Sequence, residues 1–361
     1  MIRELYINMN YVIYCAFGDQ KYVNEAIYSI LSLKQSTDIY KNNIKVVIMS
    51  NKIDQFKQFF NNDENIIFEN IPNSIMIKWL GGIFYMPRLK IKCLQYFIEK
   101  YNENVILIDT DTIIYSDINY LFKKISQNYF IMHSSCPSVN KSLELCNDYN
   151  YEDIPSSAQK RINLYKDIQE NNLICLNNKE YNILPSFKPY NSGVLGINKN
   201  YYYLLNSILE LSDILYKKYK FGCAEEFAFT YIIQNEKINE IYKCEEDIFH
   251  YCYAYGKPSR IFFAYVLNYF HKDDEQLFSY FLDNNKLNKE LFTKFDLKIY
   301  DIPKFMYFVK NHLIMQNDYE NPNNKPLDNI YFEEDSIFFN LKKDKDIQNK
   351  YKKILNEIKN K

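Results

Sequence analysis

Val105-Ile106-Leu107-Ile108-Asp109-Thr110-Asp111-Thr112-Ile113-Ile114-Tyr115-Ser116-Asp117-Ile118-Asn119-Tyr120-Leu121-Phe122 is the stretch on which the reading of this chain turns. Four apolar residues in unbroken succession, three of them β-branched, read as a strand buried on both faces, as a parallel sheet requires. The strand runs directly into Asp109-Thr110-Asp111. Side chains alternate along extended backbone, so the two carboxylates emerge on the same side at the strand's carboxyl end. Hard oxygen ligands placed this way suit a Mg²⁺ or Mn²⁺ ion that also takes phosphate oxygens. In a chain with 45 acidic residues the same triplet also arises as a turn or a helix cap. Asp117 stands where the N-cap of the next helix falls.

The segments upstream repeat the pattern. Tyr11 to Phe17 is a second unbroken apolar run, ended by Gly18-Asp19, and Val23, Ala26, Ile27, Ile30 and Leu31 follow at helical spacing. Ile44 to Met49 reads as a strand ending at Ser50-Asn51, Asp54 to Phe60 as a short helix, and Ile66 to Phe68 as a third strand. Trp79-Leu80-Gly81-Gly82 reads as a loop before a helix with Ile91, Leu94, Ile98 and Tyr101 on its core face. Strands alternating with helices predict βαβ units and a parallel sheet covered on both faces. Ligands of such sheets bind beyond the carboxyl ends of the strands. Gly18-Asp19, Ser50-Asn51 and Asp109-Thr110-Asp111 share that rim.

Downstream, Ser134 to Pro189 is polar and irregular and reads as an insertion near the site. Asn191-Ser192-Gly193 opens a strand over Val194 to Ile197. Helices follow, one with Leu204, Ile208, Leu211 and Leu215 on a face and one over Cys223 to Gln234. Beyond His271 the pattern is helical only, with Ile302, Phe305, Met306, Val309 and Leu313 on one face and Ile347, Tyr351, Ile354, Leu355 and Ile358 on another. The last helix carries Lys345, Lys350, Lys352, Lys353, Lys359 and Lys361 around its apolar side. Such a helix can lie on an anionic membrane surface or pack on the parent domain with a solvated lysine face.

Composition narrows the class. Only 10 Pro and 7 Gly in 361 residues, with 47% hydrophobic residues, argue for a folded chain with a sizeable core. A formal net charge of −1 leaves no global basic field, so no nucleic-acid partner is expected. The 8 cysteines include no C-x-x-C pair, which predicts a reduced, cytoplasmic protein with neither zinc site nor disulfide frame. The start of the chain has no small-residue cleavage site after its first apolar run, and no stretch reaches the ~20 apolar residues of a membrane span.

The run from Val105 to Phe122 resembles nucleotide-sugar-dependent glycosyltransferases of the GT-A fold, most of all the family 8 type. In that family the strand, D-x-D, second strand and D-I-x-x-L-F helix come in this order. The resemblance implies an α/β fold with a Rossmann-like, mostly parallel central sheet flanked by helices. Residues 1–270 would form the catalytic domain, with 134–189 as a variable insertion and 271–361 as a helical extension. It also implies that Asp109 and Asp111 hold the metal, Mn²⁺ or Mg²⁺, and with Thr110 face the donor diphosphate. Ala16-Phe17-Gly18-Asp19 resembles the first nucleotide-contacting loop, and with Ser50 and Asn51 it would form the nucleotide's side of the rim. Tyr85-Met86-Pro87-Arg88-Leu89-Lys90 resembles the segment whose arginine, here Arg88, reaches the donor.

Three further matches come in family order. Pro189-Tyr190-Asn191-Ser192-Gly193-Val194-Leu195-Gly196-Ile197-Asn198 is similar to F-N-(A/S)-G-V-L-x-I-N, with Asn191 and Ser192 toward the donor sugar and Gly193 allowing close backbone approach. Cys223-Ala224-Glu225-Glu226-Phe227 stands where the family has an acid-glutamine pair. Glu225 matches the acid and Glu226 replaces the glutamine. Paired carboxylates there can act as nucleophile or base, or can complement the helix dipole. His250-Tyr251-Cys252-Tyr253-Ala254-Tyr255-Gly256-Lys257-Pro258 resembles H-x-x-G-x-x-K-P-W with one extra residue between His and Lys, a displaced Gly256, and Ser259 in place of tryptophan. His250 would be the third metal ligand and Lys257 would bind the diphosphate.

The function so implied is transfer of a hexose from a nucleotide-sugar, a UDP-hexose, to a hydroxyl of a glycan, lipid-linked or protein acceptor. A peripheral membrane contact would run through the C-terminal helix. The alternatives are a sugar nucleotidyltransferase, which needs a Gly-rich basic loop where Gly18-Asp19-Gln20-Lys21 stands, and a catalytically silent glycan-binding protein of the same fold.

Overall fold

The computed structural model describes residues 9–250 apart from Asp19, Tyr115, residues 147–155, Asn172, residues 177–178 and residues 237–239. The sequence expectations for Asp19, Gly256 and Lys257, and for the 271–361 extension with its lysine-rich helix, therefore lie outside the described residues.

From the amino terminus the chain runs β1 (Asn10–Ala16), α1 (Gln20–Ser36), β2 (Ile44–Ser50), α2 (Ile53–Phe60), β3 (Ile66–Asn70), α3 (Asn73–Leu80), α4 (Arg88–Tyr101) and β4 (Val105–Ile108). Next come β5 (Thr112–Ile114), α5 (Asn119–Ser126), β6 (Phe130–Met132), α6 (Val139–Cys146), α7 (Ser156–Asn171) and the pair β7 (Leu173–Leu176) and β8 (Lys179–Asn182). The described chain ends with β9 (Val194–Ile197), α8 (Leu204–Tyr219), α9 (Ala224–Asn235), β10 (Ile241–Lys243) and β11 (Ile248–His250).

Among the described residues the central sheet has seven strands in the order β10-β6-β9-β4-β1-β2-β3. β1 pairs in parallel with β2 and β4, β2 with β3, and β6 with β10, while β9 runs antiparallel between β4 and β6. This is a mostly parallel α/β sheet flanked by helices. The period-two alternation of the strands divides the core in two. Ile13, Val47, Val105, Leu107 and Leu195 pack with α4, α7, α8 and α9, while Val12, Tyr14, Val46, Ile48, Ile106, Ile108 and Val194 pack with α1, α2 and α5. Because every inner strand is covered on both sides, its sequence is a run of apolar residues without a polar face.

The strand order sets the position of the site. The chain leaves β1 toward β2 on one side and returns from β3 to β4 on the other, so β1 and β4 flank a topological switch point whose crevice opens at their carboxyl ends. Gly18 follows one strand there and Asp109 the other.

Two expectations are corrected. Trp79 and Leu80 are the last turn of α3, an eight-residue helix capped by Gly81 in the left-handed conformation at φ 62°. The helix is short and mostly exposed, so its sequence carries little apolar periodicity. The 134–189 segment is not irregular either. It holds α6, α7 and a β7–β8 ribbon, and α7 buries Ile162, Leu164, Tyr165 and Ile168 among Asn, Gln and Lys. One apolar face diluted by so many polar residues reads as loop when composition alone is weighed.

Candidate active site

Two backbone ladders bring the acidic segments together. β4 pairs with β9 so that Ile108 lies opposite Val194, and one step further the Asp109 N–H donates to the Gly193 carbonyl at 2.8 Å. The end of the D-x-D strand and the Asn191-Ser192-Gly193 turn are thus adjacent because the ladder places them so. The second ladder is the antiparallel pair β5–β11, in which His250 lies opposite Thr112. It delivers His250 beside Asp111 across a sequence separation of 139 residues.

The result is a compact donor set. His250 Nε2 lies 3.1 Å from Asp111 Oδ1 and 3.6 Å from Asp109 Oδ2, and ligand atoms of the three residues lie within 4.8 Å of one another. For metal–ligand bonds of about 2.1 Å, neighbouring ligands of an octahedron stand roughly 3 Å apart. Two carboxylates and one imidazole at these separations fit a divalent cation. The other ring nitrogen, Nδ1, is 2.8 Å from Asn191 Oδ1, the outer contact that metal-bound histidines usually make. His250 and Asp111 are almost fully buried and Asp109 is half-buried.

A second acidic pair sits on the first turn of α9. Glu225 accepts from the Ser192 hydroxyl at 3.0 Å and from the Tyr85 hydroxyl, and its own N–H donates to that same Tyr85 oxygen at 3.1 Å. The Tyr85 ring is in turn stacked on Tyr216 with centroids 4.1 Å apart. Glu226 Oε1 accepts from Asn191 Nδ2 at 2.9 Å and from the Ser192 N–H at 3.4 Å.

Lys90 lies between the two groups. Its Nζ donates to Asp109 Oδ2 at 2.7 Å and to Ser192 Oγ at 3.1 Å, and lies 3.7 Å from Glu225 Oε1. Burial alone would lower the Lys90 pKa, but Asp109, then Glu225 and Glu226, raise it above the ordinary lysine value. At Asp109 burial prevails over Lys90 and His250 and lifts the carboxyl above its usual range. Burial would lower His250, yet Asp111 and Asp109 raise it. Glu226 is pushed up to about 7 by burial and by Glu225, against the opposing pull of Lys90, Arg161 and the Ser192 N–H. His133, whose ring stands edge-on to His250 at 5.3 Å, is pushed down to about 3 by burial and by His250. It stays neutral, with Nε2 2.8 Å from the Ile248 carbonyl oxygen.

The remaining residues expected at the site divide. Asn51 is at the rim, taking the Gly18 N–H at 3.4 Å and donating to Asn73 at 2.8 Å. Ser50 is fully buried; its hydroxyl donates to the Ala16 carbonyl and accepts from the Lys52 N–H, tying β1 to β2. Thr110 points opposite to its acidic neighbours, toward Glu25 on α1 at 3.3 Å. Asn191, expected to face a sugar, is 3% exposed and has its amide turned to His250 and Glu226. Arg88 pairs away from the acidic group. Its Nε donates to both carboxylate oxygens of Asp213 on α8 at 2.8 and 3.1 Å. Residues two apart on a helix do not share a face, so with Lys90 turned to Asp109, Arg88 looks the other way. Asp117 lies one residue ahead of the helix cap, its carboxylate accepting from the Asn119 N–H at 2.9 Å.

Lys90 and Tyr85 are the residues that sequence reasoning passed over. Lys90 could have been found, since it shares the stripe of Cys93, Leu94 and Phe97 at i+3, i+4 and i+7, and all three are fully buried. A lysine on the core stripe of a helix that starts at the sheet rim calls for a carboxylate partner. Tyr85 carries no comparable signal among 35 tyrosines.

No family model matches the chain, and no curated protein does. The solved structures it is similar to include glycosyltransferases. They include mouse xyloside xylosyltransferase 1 in its apo form, at 13% identity, with 65% of this chain and 85% of that one covered and a TM-score of 0.43. The galactosyltransferase LgtC in complex with donor and acceptor sugar analogues matches at 13% identity, covering 61% and 70%, with a TM-score of 0.39. The glycosyltransferase GlyE of Streptococcus pneumoniae TIGR4 matches at 14% identity, covering 72% and 51%, with a TM-score of 0.38. Similarity this distant leaves the chemistry to be argued from the side chains. Among the described residues no helix is long and apolar enough to cross a membrane.

Proposed function

We propose that this chain is a metal-dependent glycosyltransferase that moves a hexose from a nucleotide-sugar, a UDP-hexose, to an acceptor hydroxyl. The observation that carries the reading is the meeting of Asp109, Asp111 and His250 at the switch point of a parallel sheet, next to a second buried acidic pair. Asp109, Asp111 and His250 would hold the cation, and the mixture of imidazole with carboxylates favours Mn²⁺ over Mg²⁺. When bound, it would supply positive charge to a departing diphosphate.

The chain's own groups account for the rest. Lys90 adds a fixed cation on the same side as Asp109 and keeps that carboxylate and Glu225 from repelling each other. Glu225, locked by Ser192 and Tyr85, is a rigid acceptor for hydroxyls of the transferred sugar. Glu226, with a pKa of about 7, exchanges a proton near neutrality and so has the acidity of a general base or acid. Asn51 stands at the rim beside Gly18, where the nucleotide would lie, and Ala16, Lys257 and Gly256 are proposed for the donor on the resemblance alone.

The test is a panel of nucleotide-sugars incubated with the full chain, with and without Mn²⁺ or Mg²⁺, reading released nucleotide and thermal stabilisation. Metal-dependent release from a UDP-hexose is expected, abolished in Asp111→Asn with the fold retained. Normal turnover of Asp111→Asn would remove the metal from the reading.

A further inference from the structure

We infer that Asn191 is a positioning residue for the metal centre, fixing which nitrogen of His250 bears the proton. This rests on the metal reading above and adds to it a residue that touches no ligand atom. The amide has only one orientation that its neighbours permit. Oδ1 accepts the Gly193 N–H at 2.9 Å and Nδ2 donates to Glu226 Oε1 at 2.9 Å. A flipped amide would set Nδ2 against the Gly193 N–H and Oδ1 against the Glu226 carboxylate, two donor–donor and acceptor–acceptor clashes in a buried site.

With Oδ1 so fixed, the atom 2.8 Å away on His250 must be a donor. Nδ1 therefore carries a proton, and Nε2, which faces the Asp109 and Asp111 oxygens and donates to Asp111 without a cation, is the nitrogen whose lone pair a cation would take in place of the donated proton. That is the form of histidine that ligates a metal through Nε2. Glu226 takes part at one remove: its carboxylate holds the amide that holds the imidazole. Gly193 takes part sterically. A Cβ there would lie 2.0 Å from Nδ1, so the ring can reach Asn191 only over a residue without a side chain. The Asn191-Ser192-Gly193 turn thus seats His250, and it joins the acidic pair on α9 through the Asn191 amide and through Ser192.

The experiment measures Mn²⁺ affinity directly, from the electron paramagnetic resonance of the free ion titrated into full-length protein. Nitrogen-15 NMR of the histidine side chains with Mg²⁺ reports the tautomer. In Asn191→Ala, Mn²⁺ binding should weaken by roughly 10- to 100-fold, the usual cost of removing an outer-shell partner, with circular dichroism unchanged. The exchanged pair Asn191→Asp with Glu226→Gln keeps an acceptor toward Nδ1 and a donor across the pair, and should return to within about threefold of the parent. In the parent, His250 should carry its proton on Nδ1 when Mg²⁺ is bound. Asn191→Ala with parental affinity, or a proton on Nε2 in the loaded protein, overturns the inference. Should Asn191→Ala fail to fold, Asn191→Ser, whose shorter side chain cannot reach Nδ1, is titrated in its place, and parental Mn²⁺ affinity there overturns the inference. If His250→Ala and Asp111→Asn also leave Mn²⁺ affinity unchanged, the metal reading itself has failed, an outcome distinct from failure of Asn191.

Discussion

Replacing Gly193 by alanine puts a methyl group where the His250 ring already stands. The new Cβ would lie 2.0 Å from Nδ1, 2.2 Å from Cε1 and 2.7 Å from Cγ, whereas ordinary contact begins at 3.4 Å. The ring would have to retreat by about 1.4 Å, and it is packed on every side that matters, with Asn191 on Nδ1, Asp111 on Nε2 and the His133 ring edge-on to it. A retreat of that size carries the 2.8 Å contact to Asn191 beyond hydrogen-bonding distance and withdraws Nε2 from the aspartates. Overpacking of this kind costs about 1–3 kcal/mol. The melting temperature should fall by several degrees, at ~2–4 °C per kcal/mol, and Mn²⁺ affinity should drop by at least tenfold. Differential scanning fluorimetry and the Mn²⁺ titration read the two effects. Gly222→Ala, where a Cβ meets nothing within 4 Å, serves as the neutral control. A Gly193→Ala protein with the parent's melting temperature and metal affinity would refute the placement of His250 over residue 193.

Lys90→Met should destabilise the metal-free protein by about 3 kcal/mol, since Asp109 and Glu225 are left buried without their cation, and saturating Mn²⁺ should recover part of the loss; unchanged melting without metal would contradict the ion pairs. Glu226 titrates at about 7 in the folded protein, above the ordinary carboxyl value, so the folded state binds the extra proton and stability falls as pH rises from about 4.5 through 7. Glu226→Gln should remove that fall, raising the melting temperature relative to the parent at pH 8 and not at pH 4, and equal differences at both would count against the shift. Its activity should drop only mildly, whereas Glu225→Ala should lose most transfer through lost sugar positioning, measured as nucleotide release at saturating donor; the opposite ranking would make Glu226 the reacting group.

The sheet was legible because its strands are buried on both faces. Tyr11 to Phe17, Ile44 to Met49 and Val105 to Ile108 announce themselves as apolar runs, and Asp109, which follows the last of them, falls at the ligand edge by topology. α7 was hidden because its buried Ile162, Leu164, Tyr165 and Ile168 are interspersed with polar residues, and α3 because an exposed eight-residue helix needs no apolar stripe. At the site, the acidic types could be nominated, but their partners could not. Whether Arg88 or Lys90 meets Asp109 depends on the rotation of α4 about its axis. That rotation follows from the burial of Cys93, Leu94 and Phe97, which share a stripe with Lys90, while Arg88 falls in line with Lys92 and Glu99. Asn191 was nominated for a sugar on the resemblance of its motif. Only the β4–β9 and β5–β11 ladders, set by pairing across more than eighty residues, turn it toward His250.

The contacts close on themselves. Asp109 meets Lys90, Lys90 meets Glu225 and Ser192, Ser192 and Asn191 hold Glu226, Asn191 holds His250, and His250 returns to Asp111 and Asp109. In a ring of this kind each member is oriented from two sides, so loss of one leaves its neighbours held from the other side only. The effects of two removals should then not add. Lys90 holds Ser192, whose N–H shares Glu226 Oε1 with the Asn191 amide, and a double-mutant cycle of Lys90→Met with Asn191→Ala on Mn²⁺ affinity should give a coupling of about 1 kcal/mol, within the range found for residues of one network. Lys90→Met combined with Lys199→Ala, whose partner Glu103 is at the far, amino-terminal end of β4, should add to within about 0.5 kcal/mol. If the Lys90–Asn191 pair is as additive as this control, the metal group and the α9 acids are two separate sites that happen to be neighbours, and their linkage through this ring of contacts fails.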